Sequence, residues 1–258
     1  MKTNNTKKIL EITEGNLSLS DKFNTATNND HLDIGVKEIP QSWIKIHFKT
    51  YPRFKKISLD AKQGVGTNLK LDEILKLRRS IRQFINSPIS KNELSYLLNN
   101  STALIKKGAV IDNSRRPYPS AGGRYPLEIY PLVLNSKGIK SGIYHYNVKE
   151  NLLELIREGG FKKWVLKATG GEKWISQAAV IFIITAVAGR TQIKYGDRGY
   201  RYILIEIGHL AQNILLLATA LGLGSCAICG YIDSQVSQLL DITLQKEYPL
   251  YLIAVGKM

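Results

Sequence analysis

The pattern of apolar and polar positions divides the chain into a weakly patterned beginning and a strongly patterned remainder, in which two apolar runs dominate. Ala178 to Ala188, AAVIFIITAVA, is an unbroken apolar and β-branched stretch, which predicts a strand buried on both faces. From Ile203 the apolar positions Ile207, Leu210, Ala211, Ile214, Leu217, Ala218 and Leu221 recur at spacings of three and four. They spread around much of the cylinder, as in a helix packed on most sides. Glu206, His209, Gln212 and Asn213 interrupt this run too often for a membrane span, so it reads as the core helix of a soluble domain and as a candidate subunit interface. Thr191 to Gly230 as a whole therefore reads as loop, buried helix, loop.

Weaker patterns fill the rest. Asn68 to Leu77 places Leu69, Leu71, Ile74, Leu75 and Leu77 among charges, as a helix would, and Ser90-x-x-Glu93 is a capping box that starts a second helix. Leu127 to Leu134, Ile143 to Tyr146 and Asn151 to Ile156 read as short strands, and Tyr248 to Val255 as a final one. Phe161 to Ala168, Glu172 to Gln177 and Gln235 to Leu240 read as helices. Helices and strands mix without a regular βαβ repeat, so the expected class is α+β. Residues 1–40 are polar and weakly periodic, and read as a flexible tail. Residues 41–66, with Trp43, Ile44, Ile46, Phe48, Tyr51 and Phe54, read as an extended arm packed on a main domain spanning 67–258.

Charge narrows the function. Lys and Arg number 36 against 21 acids, a net charge of +15. The first forty residues hold Lys2, Lys7, Lys8, Lys22 and Lys37 against six acids, so the excess belongs to the folded part. Such a charge suits nucleic acid, an acidic peptide, a phosphate-bearing cofactor or mere solubility. With no zinc-finger spacing, RNP-like aromatic motif or dense Lys/Arg block, nucleic acid is the weaker choice, and no partner of that kind or membrane is expected. Cys226 and Cys229 form a C-x-x-C that follows a helix instead of opening one, so two small buried side chains are expected, with no metal. No secretory signal precedes the patterned region, which makes the cytoplasm the expected location.

Three stretches carry candidate chemistry. Arg78-Arg79-Ser80-Ile81-Arg82 sets three guanidiniums and a hydroxyl within five residues, which suits a phosphate or carboxylate and equally suits a helix C-terminus. Spacing leaves both open. In Arg115 to Pro126 three prolines fix the backbone while Ser120, Ala121, Gly122 and Gly123 remove bulk, either to admit a flat ligand to the main chain or simply to make a tight connection. Lys194-Tyr195 follows the strongest strand.

Together, Arg78-Arg79-Ser80-x-Arg82, Pro119-Ser120-Ala121-Gly122 with Tyr125-Pro126-Leu127-Glu128, Gly142-Ile143-Tyr144-His145-Tyr146 and Lys194-Tyr195-Gly196-x-Arg198-Gly199-Tyr200-Arg201-Tyr202 resemble the SagB-type dehydrogenases. These are the azoline oxidase branch of the FMN-dependent nitroreductase superfamily. The resemblance runs from about Tyr51 onward. It implies a nitroreductase-like FMN fold with a mixed central sheet flanked by helices, in an intertwined homodimer with FMN between the subunits. Arg78, Arg79, Ser80 and Arg82 would grip the cofactor, and Pro119, Ser120, Ala121 and Gly122 would run along its isoalloxazine. Cys229 and Gly230 would face the ring near its reactive nitrogen, and Lys257 would reach the phosphate.

Lys194 and Tyr195 match the branch's catalytic pair. Oxidising a thiazoline or oxazoline to a thiazole or oxazole removes a proton and a hydride from neighbouring ring carbons. FMN takes the hydride, so the protein must supply the base, here Lys194 with Tyr195 relaying or orienting the proton. The resemblance further implies a modified peptide as substrate and a cyclodehydratase complex as partner. Gly123-Arg124 and Cys229 depart from the branch's pattern, and Arg124 is expected to influence which substrate fits. His209 is expected to be a hydrogen-bonded core residue. Two other readings share the fold: an NAD(P)H-dependent nitroreductase or ene-type reductase of small electrophiles, and a non-catalytic scaffold subunit of a peptide-modifying complex.

Overall fold

Strand residues sort by parity onto two separate cores. The computed structural model describes residues 18–28, 40, 48–59, 66–105, 114–243 and 245–258. Among these, nine strands are β1 (Lys56–Ser58), β2 (Ile89–Ser90), β3 (Leu127–Val133), β4 (Ser136–Lys137), β5 (Gly142–Asn147), β6 (Leu152–Glu158), β7 (Val180–Ala186), β8 (Leu223–Ile228) and β9 (Tyr248–Lys257). Seven form one sheet in the order β1-β6-β5-β3-β7-β9-β8. The helices are α1 (Leu19–Ala26), α2 (Leu71–Leu77), α3 (Lys91–Thr102), α4 (Lys162–Ala168), α5 (Gly189–Tyr195), α6 (Gly199–Ala220) and α7 (Asp233–Leu240).

Because successive side chains leave a strand on opposite faces, each central strand serves two layers. Ile129, Val180, Phe182, Ile184, Ile253 and Val255 face one core with Leu94 and Leu97 of α3 and Ile203, Leu210 and Ile214 of α6. Tyr130, Leu132, Ile181, Ile183, Leu252 and Ala254 face the other, with Val165 of α4 and Val236 and Leu239 of α7. The sheet is covered on both sides, which is why β3 and β7 read as unbroken apolar runs. By length and hydropathy residues 189–220 suffice to cross a bilayer. Here Ile203, Leu210, Ile214 and Ala218 are buried in the first core, so the α6 part of this run is a core helix.

The α+β class and the helix-flanked sheet are as expected, with one correction: the sheet is not mixed. Every pairing in the seven-stranded sheet is antiparallel. Parallel pairing occurs between β2 and β4, two residues each. Glu172 to Gln177 is only a 3-10 turn over Ile175–Gln177. Ser90 caps α3, accepting from the Glu93 amide at 3.1 Å while Glu93 reaches back to the Ser90 amide at 2.7 Å, a device worth about 1 kcal/mol.

The tail expectation needs qualification too. Residues 1–17 and 29–39 lie outside the described residues, as do 41–47 and 60–65 of the arm, but Ser18 and Asp21 form a second capping box and start α1. Phe23 packs edge-on against Tyr200 at 5.7 Å, and Arg198 and Arg201 donate to the carbonyls of Thr27 and Asn24. Thus α1 docks on the first turn of α6 without burying a side chain of its own. The described part of the arm lies on the sheet: the Tyr51 amide donates to Glu154 at 3.0 Å and β1 pairs with β6.

Candidate active site

Lys194 and Tyr195 do not lie on a loop; they close α5, which follows β7 almost directly. Gly196, at φ +55° and ψ −147°, turns the chain in a region only glycine enters readily. α6 then starts so close to α5 that a Cβ on Gly199 would sit 3.3 Å from the Gln192 backbone. The Lys194 ammonium lies 5.3 Å from the Tyr195 ring centroid, and that ring meets Tyr202 edge-on at 5.1 Å. Both residues are half-buried.

The loop from Ser114 to Pro126 comes to meet them. A Cβ on Gly122, at φ +60°, would stand 2.7 Å from Tyr195 Oη and 3.3 Å from Lys194 Nζ. The glycine therefore marks a close approach, not a casual turn. Ser120 Oγ accepts from the Tyr125 amide at 2.8 Å and donates to Glu206 Oε2 of α6 at 2.6 Å. Tyr125 itself sits at φ +46°, a conformation a bulky residue holds only when its surroundings impose it. The Arg116 amide donates to Tyr125 Oη at 3.1 Å, and Tyr118 meets the Tyr125 ring edge-on at 5.8 Å. A cleft of about 620 Å³ opens against this loop, lined by Arg115, Arg116, Tyr118, Ser120, Gly122 and Tyr125 among others.

The arginine element lies elsewhere. Arg78 is the C-cap of α2, and Arg79 Nη1 folds back onto the carbonyls of Lys76 and Arg78 at 2.6 and 2.8 Å, so Arg79 takes the helix-end role. Ser80 bridges to Ser225 in β8, the Ile81 amide donates to Ser225 O at 2.9 Å, and the Ile85 amide to Lys257 O at 3.0 Å. Gly224 and Gly256 permit this seating: a Cβ on either would fall 2.8 Å from Ile81 or 3.0 Å from Phe84. Arg82 leans towards Trp174, 6.0 Å from its centroid, and with Arg79 and Ser80 is exposed. Lys257 ends β9, where its ammonium is paired with Glu93.

Two separate clusters result. Arg78, Arg79, Ser80, Arg82 and Lys257 gather along β8 and β9, with Cys229 and Gly230 exposed just past the end of β8. Pro119 to Gly122, Lys194 and Tyr195 gather at the start of α6. Three expectations are corrected here. Cys226 is buried but Cys229 is exposed. His209 is exposed, not in the core, because it falls on the side of α6 turned from the sheet. Arg124 is buried, its Nε donating to Arg190 O at 2.7 Å, so it ties the loop to α5 instead of shaping open space.

A buried charge cluster, to which the sequence reading assigns no role, lies beside α5. His145 donates to Glu128 and Glu154 at 2.9 Å each, and Arg190 Nη2 also meets Glu128. With carboxylates at both ring nitrogens only the imidazolium satisfies both contacts. Burial lowers the His145 pKa, but the two carboxylates outweigh it and hold it above the ordinary value. Burial likewise opposes ionisation of Glu128, yet Arg190, His145 and Arg116 bring it down to about 2. The signal was available: Glu128 and His145 are charged positions inside otherwise apolar strands.

A seven-stranded antiparallel sheet covered by helices on both faces is the architecture of a nitroreductase-type α+β oxidoreductase. The chain belongs to the nitroreductase family, whose model matches residues 75–257. It is 36% identical over 189 residues to MJ1384 of Methanocaldococcus jannaschii, described as a nitroreductase, covering 73% of this chain and 91% of that one. It is 30% identical over 170 residues to the microcin B17-processing protein McbC of Escherichia coli, covering 62% of this chain and 61%, under two thirds, of McbC. Its fold also matches a chain of the E. coli microcin synthetase McbBCD complex with truncated pro-MccB17 bound, at a TM-score of 0.62 and 22% identity, covering 98% of this chain and 94% of that one.

Proposed function

We propose that this protein is an FMN-dependent dehydrogenase that oxidises thiazoline or oxazoline rings of a modified peptide to thiazoles or oxazoles. The observation that carries the reading is the contact of Gly122 with Lys194 and Tyr195, which sets a basic and a phenolic group against a loop stripped of side chains. The likeness to McbC, a microcin B17-processing protein, supports a peptide substrate.

The residues fit a flat, phosphate-bearing cofactor. Arg82 and Ser80 present an exposed guanidinium and hydroxyl, Arg78 is half-buried beside them, and a Cβ on Gly230 would meet nothing within 4 Å. Arg78, Ser80 and Arg82 would hold the phosphate with charge-assisted bonds; Lys257 would have to share its ammonium with Glu93, and Arg79 with its own helix end. Pro119 to Gly122 and Cys229-Gly230 would lie along the ring. FMN, when bound, supplies the hydride acceptor. Lys194 takes the ring proton at Nζ, Tyr195 Oη orients the substrate beside it, and the loop keeps water from the reacting carbons.

A homodimer suits the division into two clusters, which would then be half-sites, since a second copy would bring the Gly122 half-site of one protomer to the arginine half-site of the other. Leu71, Leu75 and Leu77 of α2 and Leu204 and Ile205 of α6 are exposed apolar side chains of the kind such an interface covers. A cytoplasmic complex with a cyclodehydratase would supply the azoline.

The first test is the visible spectrum of the purified protein and the identity of any cofactor released by heat, followed by incubation with an azoline-containing peptide. Released FMN and a loss of two mass units per ring support the proposal; a protein that stays colourless after incubation with FMN sinks it. The 36% identity to MJ1384 favours a second reading, reduction of small electrophiles with NAD(P)H, which predicts rapid bleaching of the flavin by NAD(P)H and no change in the peptide.

A further inference from the structure

Glu206 lies in the second turn of α6 with 2% of its surface exposed, between the buried residues Ile203, Ile207 and Leu210. Among the described residues only one of its carboxyl oxygens has a partner. Oε2 accepts from Ser120 Oγ at 2.6 Å, whereas Oε1 is buried with no hydrogen-bond partner. Ser120 Oγ also accepts from the Tyr125 amide at 2.8 Å. One carboxyl thus holds the beginning and end of the turn that carries Gly122 to Tyr195 and Lys194. The charged and titratable groups facing it come from the same loop, Arg116 and Tyr118, and Glu128 of β3 competes for Arg116. Burial dominates its protonation, pushing the carboxyl up to about 7 against the smaller pull of Ser120 and Arg116.

We propose that Glu206 is a positioning residue: while its carboxyl is neutral it latches the 120–125 turn to α6 through Ser120, and its ionisation frees the turn. A buried carboxylate with one bare oxygen is costly, whereas opening the turn admits water to it. The sign follows from linkage. A carboxyl whose pKa is higher in the closed state than in the open one favours closure most below the ordinary carboxylate value of 4.5, and closure weakens as pH rises through about 7. Freeing the turn removes the Gly122 contact, and so loosens the loop side of the cofactor site; this last consequence rests on the flavin reading.

The test is hydrogen exchange of the Tyr125 amide in the full chain without flavin, corrected for intrinsic rates, from about pH 5 to about pH 9. In the wild-type protein protection should fall about tenfold or more across this range. Glu206→Gln, whose amide oxygen still accepts from Ser120, should show a flat profile, and Ser120→Ala should show low protection throughout. A Glu206→Gln profile that tracks wild type, or a Ser120→Ala protein with Tyr125 fully protected, overturns the latch. A carboxyl-carbon NMR titration of Glu206 in the wild-type protein gives a check independent of folding in any variant: a midpoint near 7 supports the latch and one near 4.5 overturns it. FMN affinity, read from quenching of FMN fluorescence, should weaken over the same range in wild type but not in Glu206→Gln. Failure to bind FMN at any pH, with the exchange pattern intact, supports the latch and overturns the flavin reading instead.

Discussion

Arg190 Nη2 lies 2.6 Å from Glu128 Oε1, so the first turn of the helix that ends in Lys194 and Tyr195 is tied to β3 by a pair almost wholly out of solvent. Removing one partner leaves an uncompensated buried charge. Arg190→Ala should therefore cost about 3–5 kcal/mol of stability in denaturant unfolding at neutral pH. A change under 1 kcal/mol would show that water or rearrangement replaces the pair.

The pH dependence of stability follows from opposed shifts. Glu128, lowered to about 2, contributes stability that is complete above its unfolded value near 4.5 and is lost as pH falls through 2, about 3 kcal/mol in all. His145 and Glu206 are raised, so each contributes stability below its unfolded value and loses it as pH rises through the folded one. Unfolding measured across pH should place the maximum on the acid side of neutrality. Glu206→Gln should remove the part of the fall that lies between 4.5 and about 7, keep the part due to His145, and leave the acid limb in place.

Gly122→Ala separates site from scaffold. Its φ of +60° costs a side chain about 1–2 kcal/mol, and the new Cβ displaces Tyr195 Oη. A small drop in melting temperature is expected beside a loss of turnover of about 100-fold, the scale of a misplacement near 1 Å. Equal losses in a folded-state assay and in turnover would deny Gly122 a special place.

Lys194→Gln keeps a polar side chain one bond shorter and removes the proposed base. Azole formation should fall about 10²- to 10⁴-fold while bound flavin is retained, as comparison of turnover with flavin absorbance will show. Turnover at wild-type level removes Lys194 from the proton transfer.

Gly224→Val addresses the arginine cluster. Its Cβ would collide with Ile81 and Met258 and push Arg78 to Arg82 off β8, so FMN affinity should drop at least tenfold while turnover at saturating FMN changes little. Arg79→Ala should weaken FMN less than Arg82→Ala, because Arg79 already serves the carbonyls of Lys76 and Arg78.

Local rules carried much of this structure into view. Ser90 and Glu93 announce α3, the apolar run at 180–186 announces a strand covered on both sides, and the spacing from Ile203 announces α6. What stayed hidden depends on partners distant in sequence. Nothing near Glu128 tells that Arg190 and His145 will neutralise it, and nothing near Gly122 tells that Tyr195 will fill the space where its side chain is missing. His209 sits in an apolar run, yet helical phase turns it outward among Leu204, Ile205 and Gln212. Residues 1–40 read as a tail because their composition is polar and weakly periodic; the hold of α1 comes from Arg198 and Arg201, which lie far along the chain.

The strand order has a consequence in time. β9 lies between β7 and β8, and its last residues support Ile85 and carry Lys257. During synthesis β7 and β8 must wait, each with an open edge, until residues 248–257 leave the ribosome. The nascent chain thus exposes two apolar strand edges until then, which makes it a candidate for chaperone capture. Ser80 and Ile81 rest on Ser225 of β8 and Ile85 on Lys257 of β9, so residues 78–82 and Lys257 come together only once β9 has joined the sheet.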